Sequence, residues 1–436
     1  MSKMRKMKDS GIEWIGEIPE EWEIKRLKAV LCERNESNNP IKTDYILSLT
    51  NDRGVIPYDE KGDVGNKSKE DVSGYKIAYP NDIVLNSMNV IIGSVALSKY
   101  YGCVSPVYYM LYLRNPEDNI RYYNYIFQTK EFQSKLKGYG NGIMEIRMRI
   151  QMLKLNTVDL PIADFDTQHR IADYLDDKCG KIDRYIETQR AIIEKLKAYK
   201  QAVITEAVTK GLDPTASRKD SGVEWIGEIP QGWNITTLKY LISFIESGVS
   251  VNAGQEEAKE GEFGVLKTSC VSKYVFDIHE NKSVNFDEMN RVKCPVRKNT
   301  IIVSRMNTPE LVGACAYVEQ SNDTVFLPDR LWQVHFSSNV NVKYVWYFLR
   351  SEVIRAYYAS LSTGTSSSMQ NISQSQFNHV FVVLPEMNTQ KEIIHYLDRI
   401  TAEINRTIQK KQSLIDKLTE YKKSLIYEVV TGKREV

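Results

Sequence analysis

The sequence predicts an α+β protein: two similar mixed α/β bodies separated by two long helices that form an intramolecular antiparallel coiled coil. Three observations predict this. Residues 167–209 return 222 positions later as residues 389–431, with 18 of 43 positions identical, far above chance for a helical repeat. Lys8–Lys28 (KDSGIEWIGEIPEEWEIKRLK) returns as Lys219–Lys239 (KDSGVEWIGEIPQGWNITTLK), and between Lys8 and Pro19 only Ile12, matched by Val223, differs. The material between these markers keeps one order of strands, turns and a helix in both halves. The resulting division is a first body at 1–165, a central long helix at 166–212, a second body at 213–386 and a C-terminal long helix at 387–436.

The long stretches carry apolar or aromatic side chains at heptad spacing. In the first these include Ile171, Leu175, Ile182, Leu196 and Tyr199; in the second, Ile393, Leu397, Ile404, Leu418 and Tyr421. These ten are the expected packing residues of the helix pair. Asp166 is the expected N-cap of the first helix, and Gly211 with Pro214 its stop. Gln189 and Lys411 interrupt one apolar line at equivalent steps. Polar residues at such positions fix register at some cost in stability.

Each opening motif holds two tryptophans, Trp14 with Trp22 and Trp225 with Trp233. They read as core anchors, because aromatic burial dominates core energetics. In the first body, Tyr45–Leu49, Asp82–Leu85, Val90–Ala96 and Val107–Leu113 are rich in β-branched and aromatic residues and predict strands. Helical periodicity predicts a helix over Asn119–Lys137. The second body repeats this order, with Asn299–Asn307 where Asn81–Asn89 stood and a helix at Val342–Leu361. The offset grows from 211 to 222, so the second body carries 11 more residues, as loop insertions.

Composition excludes several classes. No apolar run reaches the ~18 residues of a membrane span, and the basic N-terminus lacks the apolar core of a secretory signal. Net charge is +2, so a nucleic-acid partner must be met by locally placed cations. The six cysteines show no metal-ligand or C-x-x-C spacing and read as thiols of a reducing cytoplasm. No phosphate loop, dinucleotide-binding turn, nucleophile elbow or H-E-x-x-H is present. The expectation is a non-catalytic recognition protein with no metal and no cofactor of its own. Frames nearly copied around diverged bodies imply two similar tasks with two different targets.

These residues resemble one family, the specificity subunits of type I DNA restriction-modification systems. The resemblance covers the whole chain. It rests on Trp-Ile-Gly-Glu-Ile-Pro-x-x-Trp, on the two diverged bodies, and on the junctions Leu160-Pro161…Asp166-Thr167-Gln168 and Leu384-Pro385…Asn388-Thr389-Gln390. Both copies carry Thr where the family's junction has Glu. The resemblance implies that the bodies are target-recognition domains, each reading half of a bipartite asymmetric sequence in double-stranded DNA. It implies that the helix pair sets the spacer and docks two methyltransferase subunits that modify adenine N6 with S-adenosylmethionine. Motor-nuclease subunits using ATP and Mg would join for cleavage.

Base readout needs Arg, Lys, Asn, Gln or Ser/Thr on loops. The candidates in the first body are Arg53, Asn86, Ser87, Asn89, Asn141, Arg147 and Arg149. In the second they are Lys267, Ser269, Ser304, Arg305, Asn307, Arg330, Thr363 and Ser366. The alternative from another class is a coiled-coil scaffold that gathers protein partners without reading DNA; an enzyme such as a nuclease is disfavoured by the missing motifs.

Overall fold

The computed structural model describes residues 5–51, 53–62, 71–140, 149–361, 363–366 and 369–436. The chain divides into two compact units, residues 1–190 with 412–436 (unit 1) and residues 191–411 (unit 2). The first long helix spans Phe165–Lys210 and the second Met387–Val430. Each unit therefore holds one body and one half of each long helix.

Unit 1 is built on a four-stranded antiparallel sheet of Leu31–Arg34, Ile83–Asn86, Val95–Leu97 and Tyr108–Leu113, in spatial order first, fourth, second, third. Unit 2 uses the same order and sense with Ile242–Ser247, Thr300–Ser304, Cys315–Val318 and Leu331–Phe336. The central strands are apolar on both faces because both faces are covered. Ile83 and Leu85 join the main core of unit 1 while Val84 joins a smaller cluster with Met110; Ile301 and Val303 are divided from Ile302 in the same way. Alternate side chains of a strand point to opposite faces.

Three sequence-based expectations need correction here. The helix expected over Asn119–Lys137 is two, Ile120–Phe127 and Lys130–Leu136, and that at Val342–Leu361 is Val342–Leu349 followed by Glu352–Leu361. Thr129 breaks the first by taking extended angles while its hydroxyl donates to the Ile126 carbonyl at 2.8 Å. Val90–Ala96 is not one strand: Val90–Ile92 is a 3₁₀ turn closed by Gly93 at φ +89°, and the strand begins at Val95.

The opening motif and the junction motif form one frame, present in both units. Glu23–Arg26 pairs with Asp159–Ile162, and Asn234–Thr237 with Phe381–Leu384. The buried Gln168 accepts from the Asn119 amide at 3.0 Å and donates to the Ala163 carbonyl at 2.9 Å. Gln390 makes the same two bonds, to Asn341 and Pro385, at 3.0 and 2.9 Å. The buried Tyr122 hydroxyl donates to Pro161 at 2.8 Å, with the Val430 carbonyl at 3.3 Å; Tyr344 repeats this with Val383 at 2.9 Å and Val208 at 3.2 Å. Each of these bonds satisfies a group that would be costly to bury alone. They account for the repeat of the Thr-Gln junctions.

Within each unit the two helix halves run antiparallel. Asp183 meets Lys422 in unit 1, and Lys200 meets Asn405 in unit 2. Ile171, Leu175, Ile393, Leu397 and Ile404 are buried, and Ile182, Leu196 and Leu418 half-buried. Tyr199 and Tyr421 are about half exposed, at 54% and 49%, so they are not packing residues. The second apolar line lies one residue further along: Cys179, Ile186, Ile193, Lys200 and Ala207 in one helix, and Thr401, Ile408, Ile415, Lys422 and Val429 in the other. Neighbouring Tyr185-Ile186 and Ile192-Ile193 offer the same apolar signal at either register, and the tyrosines stay partly exposed while Ile186 and Ile193 are covered.

The helix start also differs. Asp164, not Asp166, caps it, accepting from the Thr167 amide at 3.0 Å. Both stops are glycines at positive φ with little room: a Cβ at Gly211 would lie 3.1 Å from the Trp233 ring, and one at Gly432 would lie 2.4 Å from Pro19.

Candidate nucleic-acid interface

Most of the described candidates gather at the end of one strand in each unit, at equivalent places. In unit 1 the strand Ile83–Asn86 runs into a turn at Ser87–Asn89. Asn86 accepts from the Met88 amide at 3.0 Å through its side chain, and Asn89 accepts from Ile92 and Ser94 through its backbone. Two further segments converge there. Asn51 Nδ2 donates to the Ile92 carbonyl at 3.4 Å, which places the Arg53 turn beside it. The Ile150 amide donates to the Ser87 carbonyl at 2.9 Å, which brings in Arg149. Arg53 and Arg149 are exposed, with no carboxylate partner among the described residues. Asn141 and Arg147 lie outside the described residues.

In unit 2 the strand Thr300–Ser304 ends in Arg305, Met306 and Asn307. Position 305 is the counterpart of 87 (offset 218), and the backbone bonds agree. The Ile372 amide donates to the Arg305 carbonyl at 3.0 Å, as Ile150 does to Ser87. The Arg305 amide donates to the Arg330 carbonyl at 3.1 Å, as Ser87 does to Val107 at 3.3 Å. Met306–Asn307 pairs with Met369–Asn371, which pairs in turn with Thr363–Ser366. Arg305, Asn307, Arg330 and the backbone of Thr363 and Ser366 thus form one edge. Arg305 Nε donates to the Asp329 carbonyl at 3.0 Å; this orients the guanidinium without neutralising it.

Several candidates are used internally. Ser87 and Ser304 are fully buried. Ser87 Oγ donates to Val107 at 2.7 Å, and Ser304 Oγ accepts from Asn307 at 3.2 Å. Neither can reach a base edge, so both leave the set of readers. Lys267 and Ser269 share the Glu280 carboxylate, at 3.7 and 2.6 Å. The Ser269 hydroxyl and the Lys267 charge hold that carboxylate below its ordinary range. A phosphate would have to displace Glu280 from Lys267, which weakens that lysine as a contact.

The same comparison exposes residues that heptad and turn reading passed over. In unit 2 Lys343 reaches Asp398 at 2.8 Å and Tyr347 donates to Asp398 at 2.6 Å, just as Arg121 and Tyr125 reach Asp176 at 2.6 Å each in unit 1. One turn on, Arg350 is 7% exposed where unit 1 has the neutral Gln128. An arginine closing VKYVWYFL, apolar and aromatic but for Lys343, was the available signal.

Among the described residues no His, Cys, Asp or Glu cluster could hold a metal ion, and no helix is long and apolar enough to cross a membrane. All six cysteines are free thiols. The family model described as the type I restriction modification DNA specificity domain matches residues 19–198 and 230–415. The chain belongs to this family. Both matched segments coincide with a body and the long-helix residues that follow it.

Among named members of the type I restriction modification specificity family, the MjaVIII specificity subunit of Methanocaldococcus jannaschii is 24% identical over 96% of this chain and 94% of its own length. The EcoEI specificity subunit of Escherichia coli is 24% identical over 54% of this chain, a match spanning 41% of that protein. A solved chain from work on complex assembly and conformational transition of the type I R-M system is 12% identical, covers 96% of this chain and 99% of its own, and superposes with a TM-score of 0.69. At that identity the likeness concerns the fold: two mixed α/β domains with a pair of long helices.

Proposed function

We propose that this chain is the DNA-reading subunit of a type I restriction-modification complex, each body reading one half of a bipartite asymmetric target in double-stranded DNA. One observation carries the reading: two units share sheet order, frame hydrogen bonds and strand-end geometry, yet place different side chains at the same strand end. Arg305 in one stands where the buried Ser87 stands in the other, and Asn86 where the buried Ser304 stands, while Asn89 and Asn307 are the same. A frame held constant while its tips diverge suits a common docking mode with separate base readout.

The helix pair serves as the spacer and as the surface for two methyltransferase subunits, which supply S-adenosylmethionine chemistry at adenine N6. Motor-nuclease subunits supply ATP- and Mg-dependent cleavage. This chain supplies sequence choice and works in the cytoplasm. About 45 residues at ~1.5 Å rise give a helix of roughly 65–70 Å, against ~34–36 Å for one turn of DNA. Such a helix is long enough to set half-sites a turn or more apart. Adenine methylome sequencing of the host with and without this gene tests the reading. Loss of a single bipartite methylated motif is expected; an unchanged methylome would overturn it.

A further inference from the structure

Unit 2 holds a pocket of about 740 Å³ between the two helix halves and the body, with Lys200, Arg350, Trp346, Tyr347, Tyr317 and Asn405 in its wall. That volume lies within the ~300–1,000 Å³ of small-molecule sites. Its electrostatics are one-sided. Of its cations, Lys343 takes up the acids of the wall, reaching Asp398 at 2.8 Å and Glu319 at 3.7 Å. Arg350 has no ion-pair partner among the described residues, and its buried Nε has no protein acceptor. The Arg350 guanidinium sits 4.6 Å from the Trp346 ring centroid and 5.7 Å from that of Tyr347. Aromatic faces offset part of the charge but accept no hydrogen bond along the donor's plane. Burial pulls Arg350 below its ordinary pKa range; burial and the Arg350 charge do the same to Lys200.

Unit 1 is the internal control. There the seam lysine, Lys422, is neutralised by Asp183 at 2.6 and 2.7 Å. In unit 2 the counterpart of Asp183 is Asn405, which accepts from Lys200 at 2.9 Å but carries no charge. The counterparts of Arg350 and Trp346 are Gln128 and Asn124. Relative to unit 1, unit 2 thus carries one negative charge fewer, one buried positive charge more and an indole at one place in a shared frame. A buried unpaired charge is costly, and a structural role alone gives no reason for this set of changes.

We propose that this pocket binds a small phosphate-bearing ligand of the nucleotide class, with Arg350 and Lys200 meeting the phosphate and the Trp346–Tyr347 wall carrying the ring. Charge-assisted bonds from arginine and lysine suit phosphate oxygens, and the wall is too large and too aromatic for a bare ion. The inference does not depend on DNA reading.

The test uses the full chain without DNA, with adenosine monophosphate, adenosine and inorganic phosphate as probes, followed by calorimetry and tryptophan fluorescence. Adenosine monophosphate is expected to bind once per chain, at least about ten-fold more tightly than adenosine or phosphate alone. Arg350→Gln and Asn405→Asp, each importing the unit 1 residue, should each weaken it at least about ten-fold. Asn405 is exposed, so its variant reports on charge even if Arg350→Gln disturbs packing. No saturable binding, binding unchanged in both variants, or phosphate binding as tightly as the nucleotide would each overturn the proposal.

Discussion

The two units solve the same packing problem and leave different charges behind. In unit 1 the lysine on the apolar seam is closed off by Asp183, and the neighbouring body helix ends in Gln128. In unit 2 the lysine meets Asn405, and the body helix ends in the buried Arg350. Hydrogen bonds made by Gln168 and Gln390, and by Tyr122 and Tyr344, are nevertheless repeated to within about 0.1 Å. Backbone geometry therefore does not require the charge pattern of either unit. Side chains that hold the frame and side chains free to specialise separate cleanly when one chain carries two versions of the fold.

The comparison can be broken most severely along the helices. Inserting seven residues into each helix at the unit division, after Arg190 and after Lys411, preserves both apolar lines. Seven residues at ~1.5 Å add ~10 Å, about three base pairs at ~3.4 Å. The native target should go unmethylated, and a target with a longer spacer should replace it in methylome sequencing; an unchanged spacer would refute a ruler.

The next effect concerns the two helix stops. Gly432→Ala would press a Cβ into Pro19, whereas Gly211→Ala meets only the edge of Trp233. Positive φ disfavours both, so denaturant unfolding should show unit 1 destabilised by about 2–4 kcal/mol and unit 2 by about 1–2 kcal/mol. Equal losses would show that the close approach of Pro19 is relieved without cost.

Arg305→Ala should cost about 1–3 kcal/mol of discrimination in one half-site and nothing in the other. Binding to DNAs altered in each half separately measures this; a loss shared by both halves would reduce Arg305 to a general phosphate contact. The smallest effect is expected from Gly180→Ala. Gly180 lies inside the unbroken first helix, and an added Cβ would meet only Arg184 Nη1, at 3.9 Å. Thermal unfolding should show a gain of up to about 1 kcal/mol, bringing unit 1 toward its counterpart, which has Ala402 there.

Much of the fold was legible because the chain repeats itself. Periodicity located both long helices, and the duplicated motifs located both frames. One apolar line of the seam was read a residue early because Ile192 and Ile193 are equally apolar and Tyr185 precedes Ile186. Only the partner helix decides which of each pair is covered. The break at Thr129 was hidden because a threonine hydroxyl can cap its own turn without any glycine or proline to announce it. Ser87 and Ser304 looked like readers because a serine on a loop and a serine under one have the same sequence signature. The pocket around Arg350 was illegible for a different reason: its charge imbalance depends on Asn405, 55 positions away in the chain, and on what Asp183 does in the other unit.

The division of the chain also bears on the order in which it can fold. Unit 2 is one continuous segment, residues 191–411, whereas unit 1 joins residues 1–190 to 412–436. Tyr122 lies against Val430 across a separation of 308 residues. Domains tend to fold as they emerge from the ribosome, and contacts this distant close slowly. During synthesis the domain that begins first is therefore completed second: its core stays open at Trp22 and Tyr122 until the whole of unit 2 has been made and residues 412–430 arrive to cover it.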